Sequence, residues 1–209
     1  GGGGRDGLRR AVRGHDEQIL VGQNGAQVHA HVGGEQWESI DGPVRVERAD
    51  GHWVVHHGDD ETRSHESNTT LVISASVPLV VGSSKGDAHR FDGDLHCVPH
   101  EDDSGYGWNL IEHVPMEEYI PGVLMGELYA GWTFSCFAAQ AVAARSFACM
   151  EVQMRSHRDW DVVASPSSQA YIGVTDDRTA HEAQEMTRGM VLAWGDQLVP
   201  GYFSSCCGG

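Results

Sequence analysis

The sequence predicts an α+β protein: a β-rich N-terminal half, then a helical pair, then a C-terminal β-hairpin. Three observations carry this. Short alternating or β-branched runs fill residues 18–98, and the apolar spacing becomes helical from Val114. Gly195-Asp196 then lies between two apolar runs, as a two-residue hairpin turn does.

The strands come first. Val28–Val32, Pro43–Arg48, Trp53–His57, Thr69–Ser74 and Pro78–Val81 each alternate or are rich in β-branched residues. Gly33–Gly34, Asp50–Gly51, Gly58–Asp59 and Lys85–Gly86 separate them, and Leu95–Val98 follows a turn at Asp92–Gly93. Pro115 suits the first turn of a helix, where Glu117 and Glu118 meet the positive end of the dipole. A second helix runs from about Thr133 to Arg155, dense in Ala, Phe, Met and Val. Thr179-Ala180-His181-Glu182 reads as a capping box opening a short helix, which Gly189 closes. Met190–Trp194 and Gln197–Phe203 are the arms of the final hairpin. Strands early and helices late give the α+β class, and no internal repeat is visible.

Composition narrows the function. At 209 residues with 40% hydrophobic content and 27 glycines, the chain can bury a full core between many turns. Fourteen basic against 30 acidic residues leave a net charge of -16, dispersed as at Asp59–Glu61, Glu101–Asp103 and Asp176–Asp177. Nucleic acid is a poor partner for such a surface, because phosphate binding needs clustered Lys and Arg. The charge reads as a solvated, repulsive surface. No apolar run is long enough to span a membrane. Gly1–Gly4 and the basic stretch to Arg13 lack an apolar core after them, so any export signal is expected upstream.

Five cysteines (Cys97, Cys136, Cys149, Cys206 and Cys207) without a CxxC spacing form neither a disulfide framework nor a zinc knuckle. Cys136 and Cys149 lie in the apolar helical segment and read as buried thiols. His29/His31 and His52/His56/His57 have spacings that suit a metal on a strand face, but no matching carboxylates accompany them. They read as surface residues.

Two helical positions break their pattern. Ile120, Val123, Leu124 and Glu127 fall on one face, so Glu127 continues an apolar stripe. Desolvation there would keep the carboxyl protonated, as a general acid needs. The other reading is a glutamate turned to water at a frayed helix end, since Pro121 and Gly122 weaken this segment. Arg145 lies within the stripe of Ala138, Ala141, Val142, Ala148 and Val152. Its planar fork can orient a carboxylate or a sugar hydroxyl, or the side chain can snorkel to the edge of the core. Gln140, on the neighbouring face, is open in the same way. The short Tyr129–Trp132 connection makes the two helices neighbours, so Glu127 is expected at a shared crevice.

These residues belong to a larger pattern. Val114-Pro115-Met116-Glu117-Glu118-Tyr119-Ile120-Pro121-Gly122-Val123, followed by Glu127, resembles the first signature of the SpoIID/LytB family of bacterial cell-wall proteins. Ala139 to Ala148 resembles its second motif, and Ser168-Gln169-Ala170-Tyr171-Ile172-Gly173 its third. Thr187 to Leu192 and Phe203 to Gly209 resemble the last two, while His89 to Gly93 and Asp94–Val98 fit an upstream strand pair more loosely. Five motifs in order cover about 120 residues by this count. The division expected is residues 1–84 as a β-rich region and 85–209 as the family-like catalytic domain.

The resemblance implies an extracytoplasmic lytic transglycosylase acting on peptidoglycan glycan strands, with Glu127 as its single catalytic acid. Arg145 is implied to shape the site or bind substrate with Gln140, and Ser168, Gln169, Tyr171, Ser204 and Ser205 to line the cleft. Ordinary glycoside hydrolysis needs two carboxylates, whereas a 1,6-anhydro product needs only one. The alternative branch of the family is a non-catalytic glycan-binding protein that enhances a cell-wall amidase. A third reading is an acidic secreted scaffold whose site has decayed. No cofactor is implied. Members that bind zinc carry Cys and His near the third motif, while Asp161 to Ser168 here has neither. The family's C-terminal end usually continues beyond the point matching Gly209, so further site residues are expected there.

Overall fold

A computed structural model describes residues 7–14, 19–21, 27–33, 35–57, 61–66, 68–82, 89–102, 105–163 and 168–204. The turns expected at Gly34, Gly58–Asp59 and Lys85–Gly86 lie outside these, as do Asp103, Ala164–Ser167, Ser205, Cys206 and Cys207. The chain divides into two compact units, Arg10–Val114 and Gly1–Arg9 with Pro115–Gly209.

The first of these units is built from strands. In chain order they are β1 (Gly7–Gly14), β2 (Ile19–Val21), β3 (Gln27–Val32), β4 (Glu35–Asp41), β5 (Val44–Ala49) and β6 (His52–His57). β7 (Glu61–Glu66), β8 (Leu71–Ala75), β9 (Leu79–Gly82), β10 (His89–Phe91), β11 (Asp94–Asp102) and β12 (Gly105–Pro115) complete the run. Among these twelve strands one sheet runs β1-β12-β11-β8-β3-β4 and the other β10-β9-β2-β5-β6-β7. Three strands show alternate burial: Val28, Ala30 and Val32 in β3, Val44 and Val46 in β5, Leu71 and Ile73 in β8. The sheets meet where Trp53 of β6 and Trp108 of β12 pack edge to face, their centroids 5.7 Å apart. Arg48 lies over the Trp53 ring at 5.4 Å. The turn joining β5 to β6 is the expected one, with Asp50 at φ 49° and Gly51 at φ 80°. Two successive positive φ values are what a primed two-residue hairpin requires, which favours Asp-Gly.

The second unit holds the helices. α1 (Met116–Glu127) and α2 (Phe134–Met154) occupy nearly the expected spans. β13 (Val162–Val163) follows, then α3 (Arg178–Met186) and the hairpin of β14 (Ala193–Trp194) and β15 (Gln197–Leu198). The hairpin turns at Gly195-Asp196 as expected, with Gly195 at φ 59°, though its ladder is only two pairs long. Near β13, Asp161 is fully buried and its carboxylate holds the Arg9 guanidinium at 2.9 Å. The Arg9 carbonyl in turn accepts the Asp161 N–H at 2.7 Å.

Two details correct the sequence reading. α3 is capped by Asp177, whose side chain accepts the Ala180 N–H at 2.9 Å, and Thr179 lies inside the helix. A carboxylate at this position satisfies an orphan amide and meets the dipole, so it outcompetes the hydroxyl two residues on. Glu182 pairs with Arg178 at 2.6 Å instead of reaching back to close a box. Asp177→Ala should therefore lower stability by about 1 kcal/mol in urea unfolding. The second correction is Cys136, which is exposed; Cys149 is half-buried, and Cys97 is the fully buried thiol. Cys136 lies in the first turn of α2, before the helix enters the core at Phe137.

Candidate functional site

The stripe predicted on α1 is real. Ile120, Val123 and Leu124 are fully buried. Glu127 is the last residue of the helix and only half-buried, so the stripe ends at the edge of the core. Its carboxylate is nonetheless fixed, because Oε1 accepts the Ala170 N–H at 2.6 Å. Oε2 makes no hydrogen bond among the described residues.

The partner of α1 at this point is the segment 168–173. Two glycines allow the approach. A Cβ at Gly126 would lie 2.7 Å from the Ala170 carbonyl oxygen, and one at Gly122 would collide with the Gly173 carbonyl and lie 2.5 Å from the Tyr171 ring. Gly122 and Gly126 are four residues apart, so they make one flat strip for a crossing backbone. The Ile172 N–H donates to the Gly122 carbonyl at 3.3 Å, pinning the crossing. Tyr119 stacks on Tyr171 at 4.8 Å and donates its hydroxyl to Gln169 Oε1 at 3.1 Å. Gln169 then donates from Nε2 to the Ala144 carbonyl of α2 at 3.2 Å. The sequence reading expected a crevice between α1 and α2. In the structure Glu127 meets the 168–173 segment, and α2 reaches it through Gln169.

Gly126→Ala should displace this segment and carry the Ala170 N–H away from Glu127. Overpacking of this kind costs about 1–3 kcal/mol. Urea unfolding should show the loss of stability, and amide exchange at Ala170 should rise as its hydrogen bond to Glu127 is lost.

Arg145 faces inward. It is 1% exposed and grips Glu117 with both arms of its fork, Nε to Oε1 at 3.0 Å and Nη2 to Oε2 at 2.8 Å. Nη1 donates to the Met190 carbonyl at 3.1 Å. Glu117 also accepts the Gln184 amide at 2.6 Å and the Gly189 N–H at 3.1 Å. Burial pushes the Glu117 carboxyl up, but the hydrogen bonds from Arg145, Gln184 and Gly189, with the Arg145 charge, hold it below its ordinary value. This hub ties α1 to α2, to α3 and to the turn after α3. Leu192 reinforces it by donating its N–H to Ser146 Oγ at 2.8 Å. Of the two roles read for Arg145, orienting a carboxylate is the one it performs, and that carboxylate is Glu117.

The remaining predicted residues are placed as follows. Ser168 Oγ accepts the Val163 N–H at 3.3 Å, and Gln169 is buried, so both have protein partners. Gln140 is half-buried, and its Nε2 has no hydrogen-bond partner among the described residues. Tyr171 is half-buried, Ser204 is exposed, and Ser205 lies outside the described residues. On the β-rich unit, His56 contacts Glu47 at 2.9 Å and His52 the Asp50 carbonyl at 2.9 Å. No group of three metal-ligating side chains is found among the described residues.

Sequence reasoning missed Glu117 as the partner of Arg145, and also Gly122, Gly126 and Tyr119. The glycine pair carried a signal, since two glycines one turn apart inside a helix imply a close backbone approach. The Glu117–Arg145 pair carried none.

The Glu117–Arg145 pair joins α1 to α2, and Glu127 stands where α1 meets the 168–173 segment, which makes this seam the candidate site on this unit. Residues 104–194 match the family model SpoIID, stage II sporulation protein, so this part of the chain carries a SpoIID domain. The match includes Glu127, Arg145, Gln140, Ser168, Gln169 and Tyr171, and stops before Ser204. It implies a role at the cell wall, in peptidoglycan. An uncharacterized protein of Brachyspira hyodysenteriae is 28% identical over 122 residues, 57% of this chain and 32% of that protein. The chain thus spans about a third of the length of this curated relative. No helix among the described residues is long and apolar enough to cross a membrane.

Proposed function

We propose that this chain is a peptidoglycan lytic transglycosylase, acting outside the cytoplasm, in which Glu127 is first acid and then base. The observation that carries this reading is the anchored carboxyl. Ala170 fixes Oε1 at 2.6 Å, while Oε2 makes no hydrogen bond among the described residues. A preorganised group loses little entropy on reaching the reacting bond.

The chemistry needs one such group. Glu127 gives its proton to the oxygen linking C1 of N-acetylmuramic acid to N-acetylglucosamine, and the C1–O bond breaks. The carboxylate left behind takes the proton of the muramic C6 hydroxyl. That oxygen closes onto C1, giving a 1,6-anhydro ring and a free N-acetylglucosamine end, with the proton back on Glu127. No water is consumed, so the second carboxylate of a hydrolase is not required. Buried Arg145 and Gln169 act as positioning residues here, while Tyr171, Gln140, Ser168, Ser204 and Ser205 are proposed to face the glycan.

Mass spectrometry of purified glycan strands tests this directly. The expected products end in 1,6-anhydromuramic acid. Reducing ends would indicate hydrolysis instead. An intact glycan together with stimulation of a cell-wall amidase would favour the non-catalytic branch of the family.

A further inference from the structure

The link between α1 and α2 carries an unexplained surface. Tyr129 is 77% exposed and Trp132 is 50% exposed, and Phe134, two residues on in sequence, is 38% exposed. Burying one such ring is worth about 1.5–3 kcal/mol, so leaving two in water needs a reason. The rings are in contact, with centroids 6.1 Å apart and planes tilted by 57°. Their backbone is held in place. Trp132 donates its N–H to the Tyr129 carbonyl at 3.0 Å, and Leu128 donates to Leu124 at 2.9 Å. The Thr133 carbonyl accepts Cys136 N–H at 2.9 Å and Phe137 N–H at 3.3 Å. A Cβ added at Gly131, inside the turn, would meet nothing within 4 Å, so the turn stands open to solvent.

We propose that Tyr129 and Trp132 form a stacking platform for an N-acetylated pyranose ring of the glycan whose bond Glu127 cleaves. This inference rests on the transglycosylase reading and adds to it the residues that grip the sugar. Three observations choose this occupant. Tyr129 follows Glu127 by two residues, so their Cα atoms are at most about 7.6 Å apart. A pyranose bound against Tyr129 is therefore close to the helix end that carries the acid. The pair is bounded by Ala130, Gly131, Thr133 and Ser135, all exposed. Two rings match the C–H face of one sugar, whereas a protein partner needs a patch of several hundred Å². The net charge of -16 also disfavours anionic surfaces such as acidic lipid, and within the glycan it favours the uncharged N-acetylglucosamine over the muramic carboxylate.

The test uses Glu127→Gln as the parent, so that binding is read without turnover. Chitotetraose and purified glycan strands are titrated against it by tryptophan fluorescence and calorimetry. Adding Trp132→Ala should weaken binding about tenfold or more, and Tyr129→Ala severalfold. Trp132→Phe, which keeps a ring, should recover most of the loss. Thermal unfolding should be little changed, since both rings are exposed. Equal affinity with and without Trp132 overturns the platform. So does a parent that binds neither probe, or a Trp132→Ala effect that proves to be a change in oligomeric state. Product analysis separates the two readings. Anhydro ends with Trp132-independent binding refute the platform alone, and Trp132-dependent binding without anhydro ends refutes the transglycosylase alone.

Discussion

Glu127→Gln is expected to lower the release of 1,6-anhydro ends by about 10²–10⁴-fold, the usual contribution of general acid–base catalysis. The substitution is a narrow one. A glutamine keeps its amide oxygen where Oε1 accepts the Ala170 N–H at 2.6 Å, so the seam with the 168–173 segment is preserved. It replaces the oxygen that carries the proton with an amide that neither gives nor takes one at neutral pH. Stability should therefore stay within about 0.5 kcal/mol, since the glutamine retains that hydrogen bond. Glu127→Asp makes a second comparison. It keeps the acid but draws it back by one methylene, roughly 1 Å, which costs about 10²-fold if positioning governs the rate. A glutamine variant that still produces anhydro ends within tenfold of wild type would remove Glu127 from the chemistry. Were amidase stimulation also unchanged in that variant, the non-catalytic reading would replace the enzyme.

How far the sequence shows these features depends on the range of the interaction concerned. α1 and α2 are visible because Ile120, Val123 and Leu124, and then Phe137, Ala141, Ala144 and Ala148, recur at helical spacing and are buried. The Asp50-Gly51 and Gly195-Asp196 turns are visible because few residues tolerate their backbone angles. β4 and β7 were not foreseen, and both are edge strands. Their sequences, Glu35–Asp41 and Glu61–Glu66, are rich in charged residues. Charges protect an edge from pairing with another chain, and they also erase the alternation by which a strand is recognised. β12 was missed as well, because Gly105 and Gly107 resemble a loop. At the site, Glu127 stood out locally as the polar end of an apolar stripe. Its partner is a backbone amide 43 residues away, which no side-chain pattern encodes. Glu117 looked like an ordinary acidic residue in a first helical turn. That it binds Arg145, 28 residues later, follows from how α1 and α2 pack.

That pairing sets the second large effect. Arg145→Met should destabilise the chain by about 2–4 kcal/mol in urea unfolding at neutral pH, approaching the loss seen when a buried ion pair loses one partner. Glu117 would then be left with the Gln184 amide and the Gly189 N–H but no cation. Because Glu117 keeps some contact with water, the loss falls short of that for a wholly buried pair. Adding Glu117→Gln to Arg145→Met should restore part of it, since the uncompensated charge is removed. Arg145→Lys keeps the charge but not the two-armed grip, and falls between wild type and Arg145→Met. Acid provides an independent check. The folded-state pKa of Glu117 is depressed, so its contribution is present above the unfolded value, about 4.3, and is lost as pH falls through the folded value. The stability gap between wild type and Arg145→Met should therefore be widest near neutrality and close progressively below about pH 4. A gap that stays constant down to strong acid would mean that Arg145 stabilises by packing its stem among Ala141, Ala144 and Ala148, with no contribution from Glu117. A gap that closes would mean that the Glu117–Arg145 pair ties α2 to α1, the helix that carries Glu127.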